Sequence, residues 1–128
     1  MNRARGLLGP LVAFLAVWLL LRRRVDVVEV RGRSMLPALR PGDRLLVVRS
    51  DAPPSPGAIV LAPDPRDLRR ELIKRVVLAD ASGITVRGDN AAESTDARSF
   101  GALPPDAVRW RAVLRYWPLE RAGLLRRS

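Results

Sequence analysis

Glu71-Leu72-Ile73-Lys74-Arg75-Val76-Val77-Leu78 is the stretch on which the reading of the chain turns. As a strand, its alternation puts Lys74 on one face with Leu72, Val76 and Leu78. The chain carries 23 basic side chains, and Lys74 is its only lysine. Wherever charge alone would serve, this sequence uses arginine. Arginine stays protonated at any working pH, whereas a lysine in an apolar setting can shed its proton and act as a base. The bland alternative is one surviving surface lysine in an arginine-biased chain. There is no His and no Cys, which excludes a Ser-His-Asp triad, a cysteine nucleophile and the usual zinc sites. Any nucleophilic chemistry must then use Lys74 or a carboxylate as its base.

Outward from that strand, 128 residues allow one modest domain with appendages. A net charge of +10 suits nucleic acid or an anionic membrane surface. The arginines are scattered among apolar residues, and no helix-turn-helix, RNA-binding strand motif or basic zipper is present, so no nucleic-acid partner is expected. The lack of Cys leaves the redox compartment open. Eleven prolines and nine glycines between brief apolar runs favour short strands and many turns.

Leu7 to Leu21 is an uncharged apolar run, with Arg3 and Arg5 before it and Arg22-Arg23-Arg24 after it. As a helix it rises about 22 Å, short of the roughly 30 Å hydrocarbon core. Snorkelling arginines and local bilayer thinning close that gap. Its length also fits the apolar part of a cleaved signal peptide, but it passes straight into three arginines with no small-x-small site. An uncleaved single-pass anchor over residues 1–24 is therefore expected. Strands are predicted at Val25–Val30, Arg44–Arg49, Ala58–Ala62, Glu71–Leu78, Ile84–Arg87 and Val108–Tyr116. Asp80–Gly83 is a hairpin turn, Pro63–Arg70 a charged loop, and Gly88–Asp106 a long loop of the kind that carries function. Val108, Trp110, Ala112, Leu114 and Tyr116 form one apolar face, read as a half-buried edge of the core. Residues 119–128 are a basic tail, lying on a membrane surface or without fixed structure.

Two further segments carry candidate chemistry. Arg33-Ser34-Met35-Leu36-Pro37-Ala38-Leu39 sets a serine at the start of a turn, beside backbone N–H groups suited to an oxyanion. Read alone, Ser34 is simply a cap. Gly88-Asp89-Asn90-Ala91-Ala92-Glu93-Ser94-Thr95-Asp96-Ala97-Arg98 reads alone as an Asx-held turn with a surface Asp96–Arg98 pair.

Together the three segments resemble the type I signal peptidases, membrane-anchored serine proteases with a Ser–Lys dyad. The family's Ser-Met-x-Pro-x-Leu and Gly-Asp appear as Ser34 to Leu39 and Gly42-Asp43. Its Lys-Arg-Val-Val appears as Lys74 to Val77. Its Gly-Asp-Asn…Ser-x-Asp-x-Arg box appears as Gly88-Asp89-Asn90, Ser94, Asp96 and Arg98. The likeness runs from Val28 to about Pro118. The wording Val-Glu-Val-Arg-Gly-Arg-Ser-Met-Leu-Pro-Ala-Leu and Arg-Tyr-Trp-Pro look most like the small maturation proteases of nickel-containing superoxide dismutase.

The resemblance implies an all-β, signal-peptidase-type catalytic core over residues 25–118 behind one N-terminal transmembrane helix. It implies Ser34 as nucleophile, Lys74 as general base and Ser94 as the residue orienting that lysine. Arg75, Asp89, Asp96 and Arg98 would form ion pairs holding the loop to the site, and Met35 and Pro37 would contact substrate. No metal or other cofactor is implied. The partners would be precursor proteins with an N-terminal extension, and membrane lipid, with the enzyme a monomer. The catalytic domain would face the extracytoplasmic side, although arginine counts around the helix argue the other way. The sequence departs from the family at Gly32, where many relatives carry a Ser or Thr oxyanion donor. It departs again at Leu78-Ala79-Asp80-Ala81, which replaces a Gly-Leu-Pro-Gly-Asp extension, and the large inserted β-domain of some relatives is missing. The competitors are a dedicated maturation protease for one superoxide dismutase precursor and a catalytically silent, membrane-tethered binding module. A self-cleaving repressor with the same dyad would need a DNA-binding domain upstream.

Overall fold

A computed structural model describes residues 3–95 and 97–127. Helix α1 spans Arg3–Arg24, longer at both ends than the apolar run alone. Arginine is a good helix former, and Arg22, Arg23 and Arg24 in the last turn complement the negative end of the helix dipole. The 22 residues rise about 33 Å, and the uncharged run from Leu7 to Leu21 occupies the middle of that length. Gly6–Arg24 is long and apolar enough to cross a membrane, and none of that window is buried against the protein.

Seven strands follow: β1 (Val25–Glu29), β2 (Arg44–Arg49), β3 (Ile59–Asp64), β4 (Asp67–Asp80), β5 (Gly83–Arg87), β6 (Trp110–Trp117) and β7 (Gly123–Leu124). All pairings are antiparallel, in the order β1-β2-β6-β3-β4-β5, with β7 added to β6. This is the all-β core with one apolar helix that the sequence leads one to expect.

Three local readings are corrected. The charged segment 63–70 is not an open loop but the end of a long β3–β4 hairpin, with Asp64 paired to Asp67. Asp64 is buried, and the Arg66 side chain and then its backbone N–H hold the Asp64 carboxyl below the usual range. Second, Leu78 does not share the buried face of Lys74. A register shift between Val76 and Leu78 turns the strand, and Leu78 is 54% exposed while Val76 is buried. Third, β6 is not an edge: β2 lies on one side of it, and β3 and β7 on the other.

β3 explains why the sheet folds around itself. Its residues are buried on both faces, so it reads as a continuous apolar run. Ile59 and Leu61 join Val30, Met35, Leu39, Leu45, Val47 and Ala112 in one cluster. Ala58, Val60 and Ala62 join Val76, Ile84, Val86, Leu103 and Val108 in the other. The first cluster takes in two side chains of the Ser34 turn, which ties that turn to the core.

Asp43 provides the second tie. It is 1% exposed and accepts from Arg121 Nη1 at 2.7 Å, Arg121 Nη2 at 3.0 Å, Arg115 Nη1 at 3.1 Å and Arg40 N at 2.9 Å. Arg115 Nη1 also donates to the Ala38 carbonyl at 3.0 Å, and its Nε to that of Arg121 at 2.6 Å. Residues 119–121 form a 3-10 turn, and Gly123–Leu124 pairs with β6. The segment after Pro118 thus has fixed structure in its first half, directed by two guanidiniums onto one buried carboxylate. A buried pair of this kind costs about 3–5 kcal/mol to break from one side.

Candidate active site

The turn carrying Ser34 is closed at its base by Val30 N donating to Asp43 O at 2.7 Å and Gly42 N to Val30 O at 2.9 Å. Met35 (2% exposed) and Leu39 (0%) face inward, and Leu39 N donates to Met35 O at 2.9 Å. These anchors leave Ser34 half-buried on a groove of about 800 Å³. Met35 also lines that groove, whereas Pro37 is exposed and does not. Among the described residues, the backbone N–H of Ser34 donates no hydrogen bond to another backbone group.

Lys74 lies opposite Val60 in the β3–β4 ladder and lines the same groove as Ser34. It is 4% exposed. Its Nζ donates to Ser94 Oγ at 3.0 Å. A lysine buried this far is uncommon unless it is partnered, and burial disfavours its charged form.

The 88–98 segment is held on the serine turn by its backbone. Asn90 N donates to the Ser34 carbonyl at 2.8 Å, and Asn90 Nδ2 to the Arg33 carbonyl at 3.0 Å. Arg33 Nε and Glu93 Oε2 are 3.2 Å apart. Arg75 grips Asp89 with two bonds, Nε to Oδ1 at 2.9 Å and Nη2 to Oδ2 at 2.8 Å. Its remaining nitrogen reaches the carbonyls of Gly57 at 2.8 Å and Arg126 at 3.0 Å. Of the four residues expected in ion pairs, Arg75 and Asp89 are paired with each other. Asp96 lies outside the described residues. Arg98 is exposed and has an interaction of its own.

Gly88 and Asn90 stand within the motif, but nothing in the sequence shows what either does. A Cβ on Gly88 would sit 2.6 Å from the Ser34 carbonyl and collide with Ser94 Oγ. Gly88 is thus where the serine turn and the lysine's hydroxyl partner meet, and only a residue without a side chain fits. Gly88→Ala is expected to cost about 1–3 kcal/mol through overpacking. By displacing Ser94 or the turn by a fraction of an ångström, it should lower peptide cleavage about 10²-fold. Thermal unfolding and an activity assay on the same preparation check this, and wild-type turnover in the variant would contradict it.

Gly32 has φ +79° with nothing within 4 Å of its missing Cβ. The backbone is left-handed there, which glycine adopts freely and a β-branched residue does not. A side chain at position 32 would therefore be strained by the backbone rather than blocked by a neighbour.

Comparison with known proteins shows the family of the chain. The family model described as "Signal peptidase, peptidase S26" matches residues 5–80. The chain is similar to the mitochondrial ATP-independent inner membrane protease subunit 1a of Arabidopsis thaliana, at 31% identity over 80% of this chain and 76% of that protein. It is 29% identical to human mitochondrial inner membrane protease subunit 1, over 80% and 75% of the two chains. To the signal peptidase I of Leptolyngbya laminosa it is 27% identical, over 87% and 79%. The protein is a membrane-associated serine endopeptidase. It belongs to the signal peptidase family, peptidase S26.

Proposed function

We propose that Ser34 is the nucleophile and Lys74 the general base of this peptidase, which removes an N-terminal extension from precursor proteins. The observation that carries the reading is a lysine 4% exposed, on the groove that Ser34 lines, with Nζ 3.0 Å from Ser94 Oγ. Lys74, uncharged, takes the Ser34 proton as Oγ attacks the scissile carbonyl. The acyl-enzyme forms, and the proton passes to the leaving amine. Lys74 then activates the water that releases the product. Ser94 fixes the amine's direction. The Ser34 N–H supplies an oxyanion donor, with no side-chain donor from Gly32. Arg75 holds the start of the 88–98 segment in place through Asp89.

Residues 1–24 serve as the anchor and 25–118 as the catalytic unit, with the segment after Pro118 clamping the serine turn through Asp43. The enzyme works as a monomer. A narrower reading, maturation of one nickel-containing superoxide dismutase precursor, rests on the wording around Ser34 and on Arg115 to Pro118. The test is co-expression with a precursor bearing an N-terminal extension, with the new N-terminus read by mass spectrometry. Processing that depends on the added chain supports the reading, and intact precursor beside folded enzyme counts against it. A nickel superoxide dismutase precursor in the same assay decides the narrower version.

The catalytic unit is placed on the extracytoplasmic side, as in secretory signal peptidases, against the arginine count flanking α1. A reporter active only after export, fused behind Ser128, should report activity. Silence from a stable fusion reverses the orientation.

A further inference from the structure

The groove that ends at Ser34 and Lys74 is lined by more charge than an apolar leader segment calls for. Arg31, Arg33, Arg66, Arg69 and Arg70 face it, against Glu29, Glu71 and Glu93. Most of these charges are already spent. Arg33 is with Glu93, Arg66 with Asp64, Arg69 with Asp67, and Glu29 with Arg44. Arg31 and Arg70 form no ion pair among the described residues, Arg70 acting on Asp64 only at longer range, and they outnumber the lone Glu71. One wall of the groove is also an open strand edge. β5 covers β4 only from Arg75 to Asp80, so Glu71 to Lys74 has β3 on one side and no strand on the other. On β4, Leu72 and Lys74 share a face by alternation, and Arg70 follows in the irregular end of the hairpin, still lining the groove.

We infer that this enzyme selects precursors carrying an acidic residue about four positions from the scissile bond, held by Arg70 and Arg31. This rests on the proposed use of the groove for catalysis. Arg70 lies four residues along β4 from Lys74, about 13 Å in an extended strand. A peptide laid along the open edge with its scissile carbonyl at Ser34 brings a side chain four residues away to Arg70. Arg31 lines the same groove and supplies a second guanidinium for that carboxylate. A guanidinium pairs with a carboxylate through two charge-assisted bonds, and the partly enclosed groove weakens solvent screening.

The full chain bearing Ser34→Ala, in neutral detergent, provides a non-cleaving receptor. The probes are three labelled twelve-residue peptides, identical except that the residues four positions before and four positions after the scissile bond are both Glu, both Gln or both Lys. Fluorescence anisotropy should show the Glu peptide binding roughly tenfold tighter than the Gln peptide, with the Lys peptide weakest. Arg70→Ala or Arg31→Ala should erase most of that preference, and Arg70→Glu should reverse it toward Lys. Arg87→Ala, an exposed arginine on β5 outside the groove, should leave it unchanged. Equal affinity for the three peptides overturns the inference, as does a preference that survives both groove substitutions. Failure of the catalytic reading is seen separately, as cleavage of these peptides by the Ser34→Ala chain.

Discussion

Ser34→Ala is expected to reduce precursor cleavage about 10⁴–10⁶-fold, to the level set by binding and oxyanion contacts alone. Its melting temperature should barely move. The turn is held by Met35 and Leu39 in the core, by Asn90 N on the Ser34 carbonyl and by Asp43 at its base. None of these uses the Ser34 hydroxyl. A large kinetic effect with a negligible stability effect is the mark of a reacting atom, since most structural substitutions move both. Product formed by the variant at the wild-type rate would remove Ser34 from the mechanism.

Lys74→Arg should be nearly as damaging. The substitution keeps the charge, and this chain uses arginine everywhere else. On a solvated surface it would be close to neutral, within about 0.5 kcal/mol. Lys74 is 4% exposed, however, and its Nζ holds Ser94. A guanidinium cannot surrender its proton in a protein. As general base, position 74 should therefore lose activity to under a tenth of wild type even when circular dichroism shows a folded chain. Lys74→Met, which keeps the length and removes the charge, guards against misfolding caused by the bulkier guanidinium. It should be equally inactive. A folded variant of either kind with a tenth or more of wild-type activity means that Lys74 is not the base.

Much of the architecture was legible because local signals agreed with one another. Alternation and β-branched residues marked six of the seven strands, and the Asp80–Gly83 turn fell where it was expected. The misreadings share a cause: each depended on a tertiary partner that pattern alone does not name. Segment 63–70 looked like a loop because charged residues dominate it, yet hairpin pairing and the Asp64–Arg66 contact keep it extended. Leu78 was assigned to the buried face because alternation cannot foresee a bulge. Arg115 and Arg121 gave no sign of their role, because both reach one carboxylate more than seventy residues away. Within the candidate site, Ser34, Lys74 and Ser94 were readable as residue types in motif context. The work of Gly88 was not, since its constraint is the absence of a side chain between two others.

The absence of His and Cys makes the pH dependence of the wild-type enzyme unusually direct to interpret. Between about pH 6 and 10 the side chains that ordinarily titrate are His, Cys, Tyr and Lys, together with the α-amino group. Here that leaves Lys74, Tyr116 and the amino terminus, which precedes helix α1. Tyr116 is not among the residues lining the groove. The decisive measurement is kcat/KM of the wild type across this range, with a precursor peptide lacking titratable side chains. Only the neutral amine accepts the Ser34 proton, so activity should rise with pH by about tenfold per unit and then level off. The midpoint should fall below the ordinary lysine value of about 10.4, because burial disfavours the ammonium. The residual activity of Lys74→Arg should lack that rise. A flat wild-type profile, or the same rise in Lys74→Arg, would contradict a catalytic lysine at position 74.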